Sequence, residues 1–176
     1  REFFGCTSLK ELTTPSSLQN IGNSAFQNCT SLSKVTLNEG LLKIGTKAFY
    51  NCKSLKKIKI PKTVLKIQGY AFGKCKALKK VSFAQGSQLL SMGTGVFSGC
   101  TRLTGVVLPN KLTNLPAKAF ENCKALKKIV IGTSVSKVGA KACYKCKKLK
   151  TVKIHSKVLN SVGNKAFKKC RKGIRF

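Results

Sequence analysis

Residues 29–52 of this chain read CTSLSKVTLNEGLLKIGTKAFYNC, and the spacing of this stretch recurs along the 176-residue sequence. The repeat is marked by cysteines at steps of 23, 23, 23, 25, 23, 23 and 24 residues, namely Cys6, Cys29, Cys52, Cys75, Cys100, Cys123, Cys146 and Cys170. A leucine follows each of the first seven after three residues. A fixed period in this range is typical of a solenoid, in which each repeat forms one coil. The sequence therefore predicts about seven coils.

The residues within one repeat predict its local structure. The segment LKKIKI at 55–60 ends in alternation of apolar and polar residues, which predicts a short strand with one buried face. A turn and a second apolar pair follow, as at Val135 and Val138. A recurrent glycine and an N-capping residue such as Asn23 or Thr46 then predict a short helical turn carrying an Ala-Phe pair. Glycine or asparagine before most cysteines predicts a left-handed residue that ends this turn.

The cysteines are expected to be core residues. Nine cysteines in 176 residues also allow a disulfide framework or a metal site. A column of identical residues on stacked coils is first a packing solution, because a free cysteine behaves as a small buried hydrophobe. Cys143 and Cys146 form a C-x-x-C pair, but Cys143 occupies the phenylalanine column, and we expect both to point inward. With His155 as the single histidine, we expect no metal and no cofactor.

The full pattern resembles a known family. The motif C-x-x-L-x-x-I-x-I-P…V-x-x-I-G-x-x-A-F-x-x-C is nearly unbroken over 29–52 and 123–146, and it resembles the BspA-like leucine-rich repeats. Gln68 and Pro116 replace the glycine, and Cys143 replaces a phenylalanine. The resemblance implies an α/β fold: a right-handed solenoid of about seven 23-residue coils, with a parallel strand ladder on its concave side and short helical turns and extended segments elsewhere. It also implies secreted or surface-anchored proteins of bacteria and some parasitic protists, often linked to adhesion.

We expect residues 1–176 to form a single leucine-rich-repeat domain, which we interpret as a fragment of a longer array. A stretch of about 20 apolar residues, as a bilayer-spanning helix requires, does not occur, so no transmembrane segment is expected. The oligomeric state and any leader, cap or anchoring segment outside this sequence stay open.

The chain is strongly basic. The net charge is +31, from 35 Lys and Arg against four Glu and no Asp. Such a field attracts polyanions, acidic proteins and anionic surfaces. On a leucine-rich strand the residues between the buried ones face the concave surface, and Val107 and Val130 are expected to form an exposed apolar pair there. The candidate partner-binding residues on this face are Lys34, Lys57, Lys59, Lys80, Val107, Lys127, Lys128, Val130, Lys150 and Lys153.

Two interpretations of the lysine excess stay open at this stage. Lysine also fills the other faces of the predicted coils, so the excess is explained either by composition alone or by a selected anionic partner. No paired carboxylates and no phosphate-binding glycine loop are visible, which argues against an enzyme. We therefore expect a non-enzymatic adhesion or binding scaffold, extracellular or at the cell surface, for a host or matrix protein or an acidic glycan. The alternative is nonspecific binding of nucleic acid or another polyanion, although tryptophan is absent and arginine is scarce.

Overall fold

The computed structural model describes residues 2–171 and 173, and it is a parallel β-solenoid of about seven coils with about 23 residues in each. Every coil contributes one longer strand and one two-residue strand. Numbered in chain order, the longer strands are β1 (Glu11–Thr13), β3 (Lys34–Thr36), β5 (Lys57–Ile60), β7 (Lys80–Phe83), β9 (Gly105–Val107), β11 (Lys128–Ile131) and β13 (Thr151–Ile154). The short strands are β2 (Asn20–Ile21), β4 (Lys43–Ile44), β6 (Lys66–Ile67), β8 (Ser91–Met92), β10 (Asn114–Leu115), β12 (Lys137–Val138) and β14 (Ser161–Val162).

Most equivalent strands of neighbouring coils pair, and all of these pairs are parallel and in register. In the ladder of longer strands, Ile58 lies opposite Val81 and Ile129 opposite Val152. The short strands form a second ladder, which the sequence indicates only as an apolar pair after a turn. Because the register equals one repeat, each column of the sequence becomes a row of stacked side chains.

The expected helical turns are wrong: the described residues contain no helix, so the fold is a β-solenoid and not an α/β fold. The turn before Cys52 shows the reason. The N–H groups of Lys47, Phe49 and Asn51 donate to carbonyl groups of the next coil at 2.7–2.9 Å. The intervening N–H groups donate back three residues within their own coil. In an α-helix, successive N–H groups donate to carbonyl groups four residues earlier in the same segment. The alternation of bonds seen here therefore excludes a helix.

The residue before each of the eight column cysteines has a positive φ, as predicted for glycine and asparagine at this position. Lysine takes the same conformation where it replaces them, with φ of 57° at Lys74 and 60° at Lys145. In the seven turns that end at Cys29 and at the later column cysteines, a second positive φ occurs four residues earlier, as at Lys47 with 55°. Such a residue interrupts a right-handed helix. The expected N-cap Asn23 instead accepts the N–H of Thr46 in the next coil at 2.9 Å.

The recurrent glycine permits close contact between coils. A Cβ atom on Gly139 would lie 2.3 Å from the backbone N of Ala117, and one on Gly163 would lie 2.4 Å from that of Ala140. The first member of the column, Gly22, has no atom within 4 Å of such a Cβ. Glycine therefore allows the close approach of these coils, whereas Gln68 and Pro116 occupy the same column in two others.

The buried columns merge into one hydrophobic core that runs from Ile21 to Ala166. Six phenylalanine rings stack along it with centroids 5.2–5.6 Å apart, from Phe3 to Phe120. Cys143 is fully buried in the next position of this column, as expected from the sequence.

The cysteines are free thiols that pack in the core and also donate hydrogen bonds between coils. The Cys100 Sγ–H donates to the carbonyl oxygen of Phe72 at 3.2 Å, and that oxygen also accepts the N–H of Cys75. The same thiol bond recurs at Cys52, Cys75, Cys123 and Cys146. Burial raises the pKa of Cys100 to about 12, and burial also raises the pKa of Cys123 well above its usual value.

We predict that Gly139→Ala lowers the free energy of unfolding by about 1–3 kcal/mol, because the added methyl group would overlap the backbone of the preceding coil. Gly22→Ala is the matched control, and we expect its free energy of unfolding to stay within about 0.5 kcal/mol of the parent. Urea unfolding followed by circular dichroism measures both. Equal effects of the two substitutions would contradict the role of close contact.

We predict that iodoacetamide at pH 8 modifies the half-buried Cys6 well before Cys100. The raised pKa keeps the Cys100 thiol protonated at this pH, and its burial excludes the reagent. Mass spectrometry of digested samples over time gives the rate at each cysteine. Modification of Cys100 is expected only at the rate of unfolding and should accelerate with urea. A native-state rate equal to that of Cys6 would rule out the buried thiol column.

Candidate functional site

The long-strand face consists of the outward side chains of the odd-numbered strands and of the residue directly before each of them. All ten residues predicted to bind a partner lie on this face, and their eight lysines are exposed. The register sets Lys57 opposite Lys80 and Lys59 opposite Ser82. The structure therefore brings the candidate lysines together as rows that cross the coils.

These rows are strongly basic. Within the described residues the single ion pair joins Lys34 Nζ to Glu11 Oε2 at 3.0 Å, with both side chains exposed. The lysines from β5 onward have no carboxylate partner there. Two ammonium groups about 5 Å apart repel by ~0.8 kcal/mol in water, before salt reduces the effect. An anionic partner would remove this repulsion.

The prediction that both valines of the pair are exposed is wrong for Val130. Val107 and Val130 are opposite each other in the register, but Val107 is 64% exposed whereas Val130 is only 8% exposed. The reason lies in their neighbours: Val130 has a paired strand on both sides, whereas Val107 has one only toward β11. A single apolar side chain is thus presented to solvent at this place.

The step from the fourth to the fifth coil interrupts both ladders. In the described chain, β7 is not paired with β9, and β8 is not paired with β10. The cysteine step is 25 residues here, and the two extra residues lie in the turn between β7 and β8. The longer ladder is also interrupted between β3 and β5, but the short-strand ladder continues there.

A groove of about 930 Å³ opens on the long-strand face at this step. Val107, Phe83 and Pro109 contribute apolar surface to its lining, and Phe83 is only partly buried although its column is otherwise mostly core. Gly105 widens the groove because it has no side chain where most coils place a lysine. The lining also contains four lysines, Lys79, Lys80, Lys111 and Lys128, and no carboxylate.

The motif columns do not predict this groove, although two sequence signals mark its place. They are the 25-residue step from Cys75 to Cys100 and the glycine at position 105. Lys111, which was not among the candidates, is held at the groove by a hydrogen bond that its Nζ donates to Gln88 Oε1.

Lysines elsewhere have structural contacts that the long-strand rows lack. Five lysines with positive φ lie within 6.0 Å of a tyrosine ring centroid, namely Lys47 and Lys74 at Tyr50, and Lys141, Lys145 and Lys169 at Tyr144. Cation–π contacts of this kind stabilise the turns on which they occur. The lysine excess therefore contains at least one group whose role is structural.

Comparison with known proteins identifies the repeat. The model of the BspA type leucine rich repeat region matches residues 1–126 and 85–174 in six copies. A search of curated proteins finds no match.

Solved structures with the same fold include the leucine rich repeat protein of T. pallidum, with 28% identity, a TM-score of 0.80 and coverage of 88% of this chain and 73% of that one. A leucine-rich repeat protein of Eubacterium ventriosum is also 28% identical, with a TM-score of 0.78 and coverage of 92% and 43%. One of Bacteroides ovatus is 25% identical, with a TM-score of 0.55 and coverage of 92% and 53%. The chain thus spans less than half the length of the E. ventriosum protein.

Two general properties follow. Leucine-rich repeat solenoids are typically non-enzymatic scaffolds that bind proteins. In the part of the chain that the structure describes, no helix is long and apolar enough to cross a membrane. The family model matches nearly the whole length of the chain, and the structure shows the repeated coils. The chain therefore belongs to the BspA-type leucine-rich repeat family.

Proposed function

We propose that this chain is a non-enzymatic binding module, secreted or at the cell surface, whose long-strand face binds a host or matrix protein or an acidic glycan. The observation that carries the proposal is the set of lysine rows from β5 onward, which have no carboxylate partner in residues 2–171 and 173. Family membership supports a binding scaffold and, by the family resemblance, a location outside the cell. The single domain 1–176 is part of the same proposal, supported by the one core that runs through the coils.

Rigid presentation of the lysines supports a binding role. Lys57 and Lys59 project from β5, whose alternate residues are buried, and Lys153 follows the buried Val152 on β13, so the backbone beneath each ammonium group is held in the ladder. A fixed array loses less conformational entropy on binding than a flexible tail of the same charge. This arrangement favours a partner with several anionic groups at matching spacing.

We predict that the variant K57Q/K59Q/K153Q binds immobilised polyglutamate and heparin roughly tenfold or more weakly than the parent. The control K43Q/K66Q/K137Q removes three exposed lysines from the short strands and lowers the net charge from +31 to +28 in the same way. Surface plasmon resonance at about 150 mM salt compares the variants. If both lose affinity equally, charge alone governs binding and the long-strand face has no special role.

We predict that double-stranded DNA distinguishes the nucleic-acid alternative from the proposed function. Binding through phosphate contacts falls linearly on a log-log salt plot, with a slope near 0.9 per contact. A nonspecific polyanion binder shows the same ranking of the two triple variants on DNA, heparin and polyglutamate. The proposed function predicts that the long-strand variant is impaired on the last two more than on DNA. A larger effect on DNA would favour the alternative.

A further inference from the structure

The groove between β7 and β9 is a local specialisation of the solenoid. Most cysteine steps are 23 residues, whereas the 25-residue step lengthens the turn at residues 84–88. This turn is ordered by its own bonds: the N–H of Ser87 donates to the Ala84 carbonyl at 3.1 Å, and the N–H of Gln88 donates to the Lys62 carbonyl at 2.9 Å. The insertion is therefore held in one conformation and forms a defined wall of the groove.

The apolar part of the groove lies in its middle. Among the large apolar side chains of the described residues, Val107 has the largest exposed fraction, at 64%. Its row carries threonine, serine or lysine in five other coils. Phe83 and Pro109, both partly buried, contribute to the lining with it. Exposed apolar surface beside charge is typical of protein contacts. This surface fits an aliphatic side chain of a partner.

In chain order, the charged groups of the lining lie on both sides of Val107. Lys80 and Lys128 stand at the first position of their strands, two residues before the level of Val107. Lys111 lies four residues beyond Val107, in the turn after β9, where Gln88 holds its ammonium group. A basic site therefore stands on each side of the apolar middle.

An extended segment matches this order. Side chains i, i+2 and i+4 of an extended chain point to one side at intervals of about 6.6 Å. Two carboxylates at i and i+4 would approach the lysines at the two ends, and an apolar residue at i+2 would cover Val107. An acidic glycan supplies the charges without an aliphatic side chain, so the apolar middle favours a protein.

We propose that the groove binds an extended protein segment in which an aliphatic residue stands between two acidic residues at i, i+2 and i+4. This inference rests on the proposed binding function and names the chemistry of its partner. It adds a position-specific requirement for an apolar side chain, which the lysine rows alone do not make.

Titration of the ¹⁵N-labelled chain by NMR tests the inference with three synthetic peptides. The probe is Gly-Glu-Ser-Leu-Ser-Glu-Gly, the first control replaces its Leu with Ser, and the second moves the Leu to the end as Gly-Leu-Ser-Glu-Ser-Glu-Gly. We expect the probe to shift the amides of Gly105, Val107 and Ala84, and to bind about fivefold more tightly than either control. Equal binding of all three peptides would overturn the inference.

Two substitutions connect this affinity to the groove. Val107→Thr keeps the side-chain shape, and we expect it to reduce the affinity for the probe to that for the serine peptide. Val162→Thr is the matched control, because Val162 is 56% exposed on β14 and does not line the groove, and it should leave the affinity unchanged. The ¹⁵N spectrum of each variant reports whether it is folded. Unchanged affinity in folded Val107→Thr would overturn the proposal.

A heparin hexasaccharide tests the competing ligand class. If it shifts the groove amides independently of Val107→Thr while the peptides do not bind, the groove takes an acidic glycan and the protein-segment proposal is wrong. Failure here is separable from failure of the proposed function, because the triple lysine variants K57Q/K59Q/K153Q and K43Q/K66Q/K137Q leave every groove-lining residue intact.

Discussion

Contact between equivalent positions of adjacent coils is the constraint on which the rest of the structure depends. Alternate backbone N–H groups of each turn donate to the next coil, and glycine in most coils allows the backbones to approach closely enough. The cysteine thiols donate in the opposite direction, to carbonyl groups of the preceding coil. A single coil of 23 residues cannot bury its apolar columns by itself, so its stability comes from its neighbours. The buried columns of apolar side chains and the exposed rows of lysines are both consequences of this stacking.

The same constraint turns a small change in one repeat into a surface feature. Strand pairing ends in both ladders at the step that follows the turn with two extra residues. Val107 then has a paired strand on one side only, and the groove opens beside it. The regular coils present rows of lysines, and the irregular step adds the exposed apolar side chain of Val107 between them. Position-specific recognition can therefore arise in a protein whose repeats are nearly identical.

The sequence predicts the features that depend on residue type at a repeated position. The coil period, the buried cysteine and phenylalanine columns and the left-handed residue before each cysteine belong to this class. The prediction of a helical turn was wrong. Asn23 and Thr46 are residue types that cap helices, but here Asn23 accepts the N–H of Thr46 from the next coil and does not cap its own turn. The burial of Val130 and the groove depend on strand pairing in space, which column types alone do not reveal.

Residue-resolved hydrogen exchange tests the stacking of coils most directly. The amides of Phe49, Phe72, Phe97 and Phe120 lie in turns, yet each donates to a carbonyl of the next coil at 2.7–2.9 Å. We expect all four to exchange as slowly as the amides of the strands, because their bonds break only when coils separate. Fast exchange at these phenylalanines, at the rate of ordinary exposed turns, would contradict the account.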